Sequence, residues 1–271
     1  MAWLSAGPVP LTLGILALLV LAGLLAGWID AVVGGGGLIQ LPVLLLVPGM
    51  SPIQALATNK LGSIAGTAAS ATTYLRRVAP DKSAALPAAV CALAGAVLGA
   101  KLASLVPEAA FRPLILAVLV GVGAFTLAKP ALGTEARLRF GEHSKRHHAV
   151  AWLLGGVVGI YDGALGPGTG SFLVIGFVAL LGFDFLQASA TAKIVNLATN
   201  LGALLFFVPA GHVVWQAGLA VAAGNVAGGV IGAKTAIRFG SGFVRAVFIC
   251  VLAILVLTLG WQWIAGLSRG A

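Results

Sequence analysis

The chain has 271 residues, of which 60% are hydrophobic and only 8% charged, and sixteen Lys and Arg against seven Asp and Glu give a net charge of +9. A mean hydropathy of +1.08 with so few charges excludes a soluble domain, and apolar runs that are continuous rather than alternating exclude an outer-membrane barrel. The positive charge does not point to nucleic acid: no Lys or Arg precedes Lys60, and most of the others fall in short connections between apolar runs, where they set topology.

In chain order the first apolar span is 11–33. It has no Lys or Arg before it and passes directly into glycines, so it reads as a membrane span rather than a cleaved leader. A short segment, 38–48, follows, and then spans 52–75, 83–106 and 111–129. The second set comprises 149–165, a short segment 171–182, and then 186–208, 213–237 and 241–264. Between the sets lies a polar linker, 131–148, whose His143, His147 and His148 read as solvated rather than metal-binding. Cys91 and Cys250 lie within apolar runs and read as buried thiols. The expected fold is an all-α polytopic membrane protein made of a first repeat, 1–130, the linker 131–148, and a second repeat, 149–271.

The repeat is legible residue by residue. Residues 95–128 and 228–261 align at an offset of 133, which pairs Gly99-Ala100-Lys101 with Gly232-Ala233-Lys234 and Arg112 with Arg245. The same offset pairs Ala57-Thr58-Asn59-Lys60 with Ala190-Thr191-Ala192-Lys193. Upstream the offset is 132 and pairs Gly27-Trp28-Ile29-Asp30 with Gly159-Ile160-Tyr161-Asp162, each followed by glycines. A duplicated apolar chain interrupted at the same place in both halves is the pattern of a transporter with its binding site at the interruptions.

The short segments decide the symmetry. A helix of that length covers roughly 17 Å, about half of a hydrocarbon core, so each is a half-helix or re-entrant element. If each returns the chain across the membrane together with its glycine loop, a half has five passes and the repeats are inverted: about four full helices plus one short segment each. The basic connections 76–82, 129–146 and 234–245 then share the cytoplasmic side, and the Pro209–His212 turn, without Lys or Arg, lies opposite. Four passes per half would give parallel repeats and put that turn on the basic side.

The interruptions carry the expected chemistry. Gly34, Gly35, Gly36 and Gly37 disfavour helix by about 1 kcal/mol each, and Gly166-Pro167-Gly168-Thr169-Gly170 is their counterpart. Unpaired backbone at membrane depth is tolerated where it lines a cavity or is buried in protein. Segments starting near Leu38 and Ser171 would aim free amides and the positive helix end at an anion. Neither glycine run follows a strand or precedes Gly-Lys-Ser/Thr, so neither is a nucleotide loop.

Lys60 and Lys193 fall near mid-depth at matched positions. They would supply positive charge to a central anion, or else snorkel to a headgroup along their flexible stems or pair with Asp30 and Asp162. Asn59 adjoins Lys60; Ser63 and Thr67 continue its helical stripe, as Asn196 and Asn200 continue that of Lys193. Gln40 is a weaker candidate ligand, and Asp30 and Asp162 are candidate proton-coupling carboxylates. No catalytic set, metal signature or cofactor motif is present in the sequence.

The pattern Gly27-x-x-Asp30, a glycine run, Pro42 and then Ala57-Thr58-Asn59-Lys60, with a degenerate second copy, resembles the TauE/SafE sulfite exporter family over essentially the whole chain. The resemblance implies a bacterial inner-membrane transporter of small sulfur-containing anions: sulfite, sulfoacetate or related organosulfonates, usually moved outward. Two departures make the half-sites chemically unequal: Ala192 stands where the first copy has Asn59, and Pro167 and Thr169 interrupt the second set of glycines. The expected function is a secondary transporter acting by alternating access. The alternatives are an anion channel or a membrane subunit of a larger assembly. The expected partners are the anion and the bilayer, with a homo-oligomer left open.

Overall fold

The computed structural model describes residues 9–107, 138, 140–141 and 144–267, with side chains described as far as Val251. The expected span 111–129 and most of the linker, including His143, lie outside them. The described residues are helical, without a strand. Helix α1 is Leu13–Val33, α2 Gly37–Leu45, α3 Pro52–Leu75 and α4 Lys82–Ala103. The second half begins with α5, Lys145–Ala164. Next comes α6, Thr169–Gly176, extended by one wider π turn over Phe177–Leu181. Helix α7 is Phe185–Phe207, and α8, Trp215–Leu267, takes up both remaining spans with a break at Gly240, whose φ of 73° suits glycine.

The helix starts follow from short polar side chains. Thr12, Ser51, Asp81, Ser144 and Asp184 each accept a backbone N–H at a helix N-terminus, and Ser51 with Gln54 closes a full capping box ahead of Pro52. Four of the described helices are long and apolar enough to cross a membrane: Leu13–Val33, Lys82–Ala103, Phe185–Phe207 and Trp215–Val251. Helix α3, with 24 residues, is about 36 Å long, but its inward polar stripe dilutes its hydropathy.

Packing is reciprocal between the halves. Helix α1 lies along α8 and α5 along α4; α3 packs on α8 and α7 on α4; α3 and α7 meet each other. Under the sequence offset α1 corresponds to α5, α3 to α7, and α4 to the 215–239 arm of α8, so each contact has a mate with the halves exchanged. The seams match in detail. A Cβ on Gly95 would lie 2.6 Å from the Gly156 carbonyl oxygen and 3.0 Å from the Ile160 nitrogen, and one on its mate Gly228 would meet the same atoms of the mates Leu24 and Trp28. Small residues here let backbones touch, the means by which helices associate without a hydrophobic driving force.

The connections sort to two ends. At one, Arg76 and Arg77 face Lys234 and Arg238 across a groove, His147 Nε2 meets Asp81 Oδ2 at 2.9 Å, and Ser241 donates to Asp184 at 2.8 Å. At the other, Val214 N donates to Thr58 Oγ1 at 3.0 Å, and Met50, Val106, Phe207 and Val213 share an apolar cluster. The Pro209–His212 turn is at this second end. Large apolar side chains such as Leu13, Val90 and Leu153 stay exposed on the flanks, as on a bilayer-facing surface.

Two expectations need correction. His147 is not solvated: it is buried against Phe183 and bound to Asp81. Cys250 is exposed and Cys91 half-buried, because an apolar run in a membrane helix faces lipid as readily as protein.

Asp81 caps α4 and holds His147, and its carboxyl lies below the ordinary 3.8. Burial acts to raise it, but the Ser83 hydroxyl, the Ala84 amide and His147 outweigh that. A carboxylate with a depressed folded-state value stabilises the fold above its unfolded value and loses that contribution as pH falls through the folded one. Asp81→Asn keeps the cap and removes the charge. It should lower thermal stability by about 1 kcal/mol at neutral pH, allowing for solvent screening of this partly exposed group. The melting temperatures of variant and parent should converge as pH falls through the folded-state value of Asp81; a constant gap would assign the effect to shape rather than charge.

Candidate functional site

The last turn of an α-helix leaves carbonyls without intrahelical partners, and in a membrane these must be met inside the protein. At the end of α1 every one is met. Gly34 turns into the left-handed region, with φ at 82°, and its N–H returns to Asp30 O at 2.8 Å. The Tyr74 hydroxyl donates to Ala31 O at 2.9 Å, Ser189 to Val32 O at 3.2 Å, and Ser171 to Val33 O at 2.9 Å. The Ser171 amide then donates to Gly34 O at 3.1 Å. Three of these five donors come from the second half of the chain.

The second interruption is held by its own neighbours. Gly166 and Gly168 both take positive φ. The Thr169 hydroxyl donates to Gly166 O at 2.7 Å and to Asp162 Oδ1, while Tyr161 donates to Pro167 O. The two interruptions touch: a Cβ on Gly34 would fall 2.5 Å from Gly170 Cα and equally close to Ser171 N.

Around this crossing, buried charges pair between halves. Lys60 Nζ lies 2.7 Å from Asp162 Oδ1, the side chains being 1% and 2% exposed. Lys193 Nζ lies 2.8 Å from Asp30 Oδ2, at 0% and 14% exposed, and donates to Asp30 O as well. Each lysine on the third helix of one half thus holds the aspartate near the end of the first helix of the other. Both lysines are matched by a carboxylate, so the cluster carries no net charge when all four groups are ionised.

A small cavity lies beside the pairs. Its wall takes Gly34, Gly37, Asn59, Lys60 and Ser63 from the first half and Gly166, Gly168, Thr169, Gly170, Asn196 and Asn200 from the second, together with Asp30 and Asp162. Its free volume is about 10 Å³, room for about one water. Two buried acceptors, Asn59 Oδ1 and Asp162 Oδ2, have no hydrogen-bond partner among the described residues. The cavity therefore combines an ammonium, helix-start amides and an under-used carboxylate, a set that can exchange a carboxylate for another oxyanion.

Five expected ligands stand outside this wall. Gly35 and Gly36 give their carbonyls to Leu38, Ile39 and Gln40 to start α2. The Gln40 amide group donates to Asn59 O at 3.0 Å and Ser63 Oγ at 3.4 Å, and its oxygen accepts from Asn225. Ser171 is used in closing α1, and Lys193 sits behind Asp30. Thr67, on the same stripe, is buried away from the cavity, its hydroxyl without a partner among the described residues.

Sequence reasoning missed Asn225, Tyr74 and Ser189. Asn225 stands where the first repeat has Ala92, and a buried amide on an apolar helix that breaks the repeat was a usable signal. Tyr74 and Ser189 carry none, because their partners are backbone carbonyls distant in sequence.

Residues 19–259 match the family model described as Sulfite exporter TauE/SafE. The chain is 36% identical over 246 residues to "Probable membrane transporter protein ORF9" of Sinorhizobium sp, covering 90% of this chain and 92% of that protein. It is 35% identical over 248 residues to "Probable membrane transporter protein YfcA" of Escherichia coli (strain K12), covering 91% and 88%. A "Probable membrane transporter protein" of Haemophilus influenzae is 33% identical over 256 residues, covering 91% and 96%. No solved structure matches the chain at a significant level.

Proposed function

The chain belongs to the TauE/SafE sulfite exporter family and is a membrane transporter, and on that premise we propose that it is a secondary transporter exporting small sulfur-containing anions, sulfite or organosulfonates, by alternating access. One observation carries the reading: two buried lysine–aspartate pairs that each join the halves at their helix interruptions. A buried charge is costly unless matched, so an anion entering a neutral cluster needs a compensating charge. A proton on Asp162 provides it. Lys60 Nζ is then released to the incoming oxyanion, while Asn59, Ser63, Asn196 and the helix starts at Gly37 and Gly170 donate to the remaining oxygens. Anion and proton thereby travel together, with Asp30 and Lys193 as the structural counterpart.

The cavity of about 10 Å³ corresponds to a closed, unloaded state, and a sulfonate enters only when the interruptions part. Inverted repeats provide two equivalent ways to part them. Reciprocal packing supports this reading, as does the gathering of basic connections at one end with the Pro209–His212 turn at the other. The preference for positive loops inside makes the basic end, with linker 131–148, cytoplasmic in the inner membrane. The outward direction follows the family description.

The test is thermal stability of the purified protein against sulfite, sulfoacetate, taurine, sulfate and phosphate, at several pH values. An anion at about 100 times its dissociation constant adds about 2.7 kcal/mol of apparent stability. A sulfur oxyanion should stabilise the parent, more so as pH falls, and leave Lys60→Ala unmoved. If no sulfur anion acts, or Lys60→Ala responds like the parent, the reading fails. Counterflow of labelled substrate in vesicles distinguishes a carrier from an anion channel.

A further inference from the structure

A basic groove lies at the end of the molecule that carries Arg76 and Arg77. Helices α3 and α8 are in backbone contact at Gly66 and Gly229, where a Cβ on Gly229 would lie 2.7 Å from Gly66 O. Towards the basic end they diverge and leave a groove of about 730 Å³. Its floor is Ala68, Ala69, Val230 and Ile237; its rim is Arg76, Arg77, Lys234 and Arg238. The Thr72 and Thr73 hydroxyls in the wall are spent on the carbonyls of Ala68 and Ala69.

The charge balance of this end is one-sided. The described residues include four carboxylates, all engaged elsewhere: Asp30 with Lys193, Asp162 with Lys60, Asp81 with His147, and Asp184 with Ser241 and Gln187 N. None lines the groove, so its four cations face one another without a counter-charge among the described residues. Of the matched positions at the opposite end, Pro209, Ala210 and Leu105 carry no charge, and Lys101, the mate of Lys234, is the one cation. This site therefore breaks the repeat.

We propose that the groove binds the phosphate headgroup of an anionic phospholipid, with acyl chains lying over its apolar floor. The bound group is a phosphodiester anion, chemistry that free phosphate partly shares. The lipid is favoured because Leu75, Ile231 and Phe239, 49%, 52% and 58% exposed, continue the apolar floor outward along the membrane-facing surface. A soluble oxyanion would satisfy the cations and leave that floor wet. Basic pockets between membrane helices on the positive-inside face are where acidic headgroups bind.

The test is native mass spectrometry of the purified protein in detergent with phosphatidylglycerol, phosphatidylcholine or inorganic phosphate. Phosphatidylglycerol should be retained well above phosphatidylcholine, and each cation changed to glutamine should weaken it about fivefold. The combined variant Arg76→Gln, Arg77→Gln, Lys234→Gln, Arg238→Gln should lose the lipid. Lys82→Gln with Lys145→Gln, at the same end but outside the groove, should keep it. The pair Lys234→Gln, Arg238→Gln serves if the fourfold variant does not fold. Equal retention of phosphatidylcholine, retention of phosphatidylglycerol by the groove variants, or its displacement by millimolar phosphate would each overturn the proposal.

Discussion

Gly34→Ala is expected to cost the protein about 3–5 kcal/mol of stability, read as a lower melting temperature of the purified variant. Part of this is local, since the left-handed conformation at φ 82° disfavours any Cβ. The larger part is steric: the added methyl would press on the Gly170 and Ser171 backbone. Relief means separating the interruptions, which breaks the Ser171 bonds to Val33 O and Gly34 O. The control is its neighbour. A Cβ on Gly35 would meet only the Leu38, Ile29 and Ser171 side chains, at 3.4 to 3.8 Å, so Gly35→Ala should melt within about 1 kcal/mol of the parent. Equal melting of the two variants would mean that the crossing is looser than described.

The second large effect is a coupling. Lys60→Met leaves Asp162 buried and unmatched and should cost about 3–5 kcal/mol, whereas Lys60→Met with Asp162→Asn should recover most of that loss, because removing both members of a buried pair is far less harmful than removing one. A double variant as unstable as the single would mean that the two side chains do not interact. Asp162→Asn alone also separates stability from transport. It leaves Lys60 without its carboxylate, so anion-induced stabilisation should persist to higher pH than in the parent. If instead it declines as pH rises, as in the parent, Asp162 does not carry the proton.

The sequence made the helices and the two interruptions readable because each leaves a local mark: a capping side chain, an apolar run or a cluster of glycines. It also placed Lys60, Lys193, Asp30 and Asp162 in one region, since charges in apolar spans have few places to go. Which lysine met which aspartate was not readable. Both aspartates lie near the ends of their helices, and only the crossing of the halves brings Asp162 to Lys60 rather than Asp30. The same limit applies to Ser171, read as a ligand and found to serve α1. A hydroxyl suits an anion or a carbonyl equally well, and the choice depends on which backbone end arrives beside it.

Tyr74 is available as soon as the first half has been made, but Ser171, Ser189 and Lys193 are not. Until those residues leave the ribosome and insert, the carbonyls of Val32, Val33 and Gly34 lack their final donors in a solvent that supplies none. The first half therefore cannot mature as an independent unit, and the gene has to be read well into its second copy, past Lys193, before the first is structurally complete.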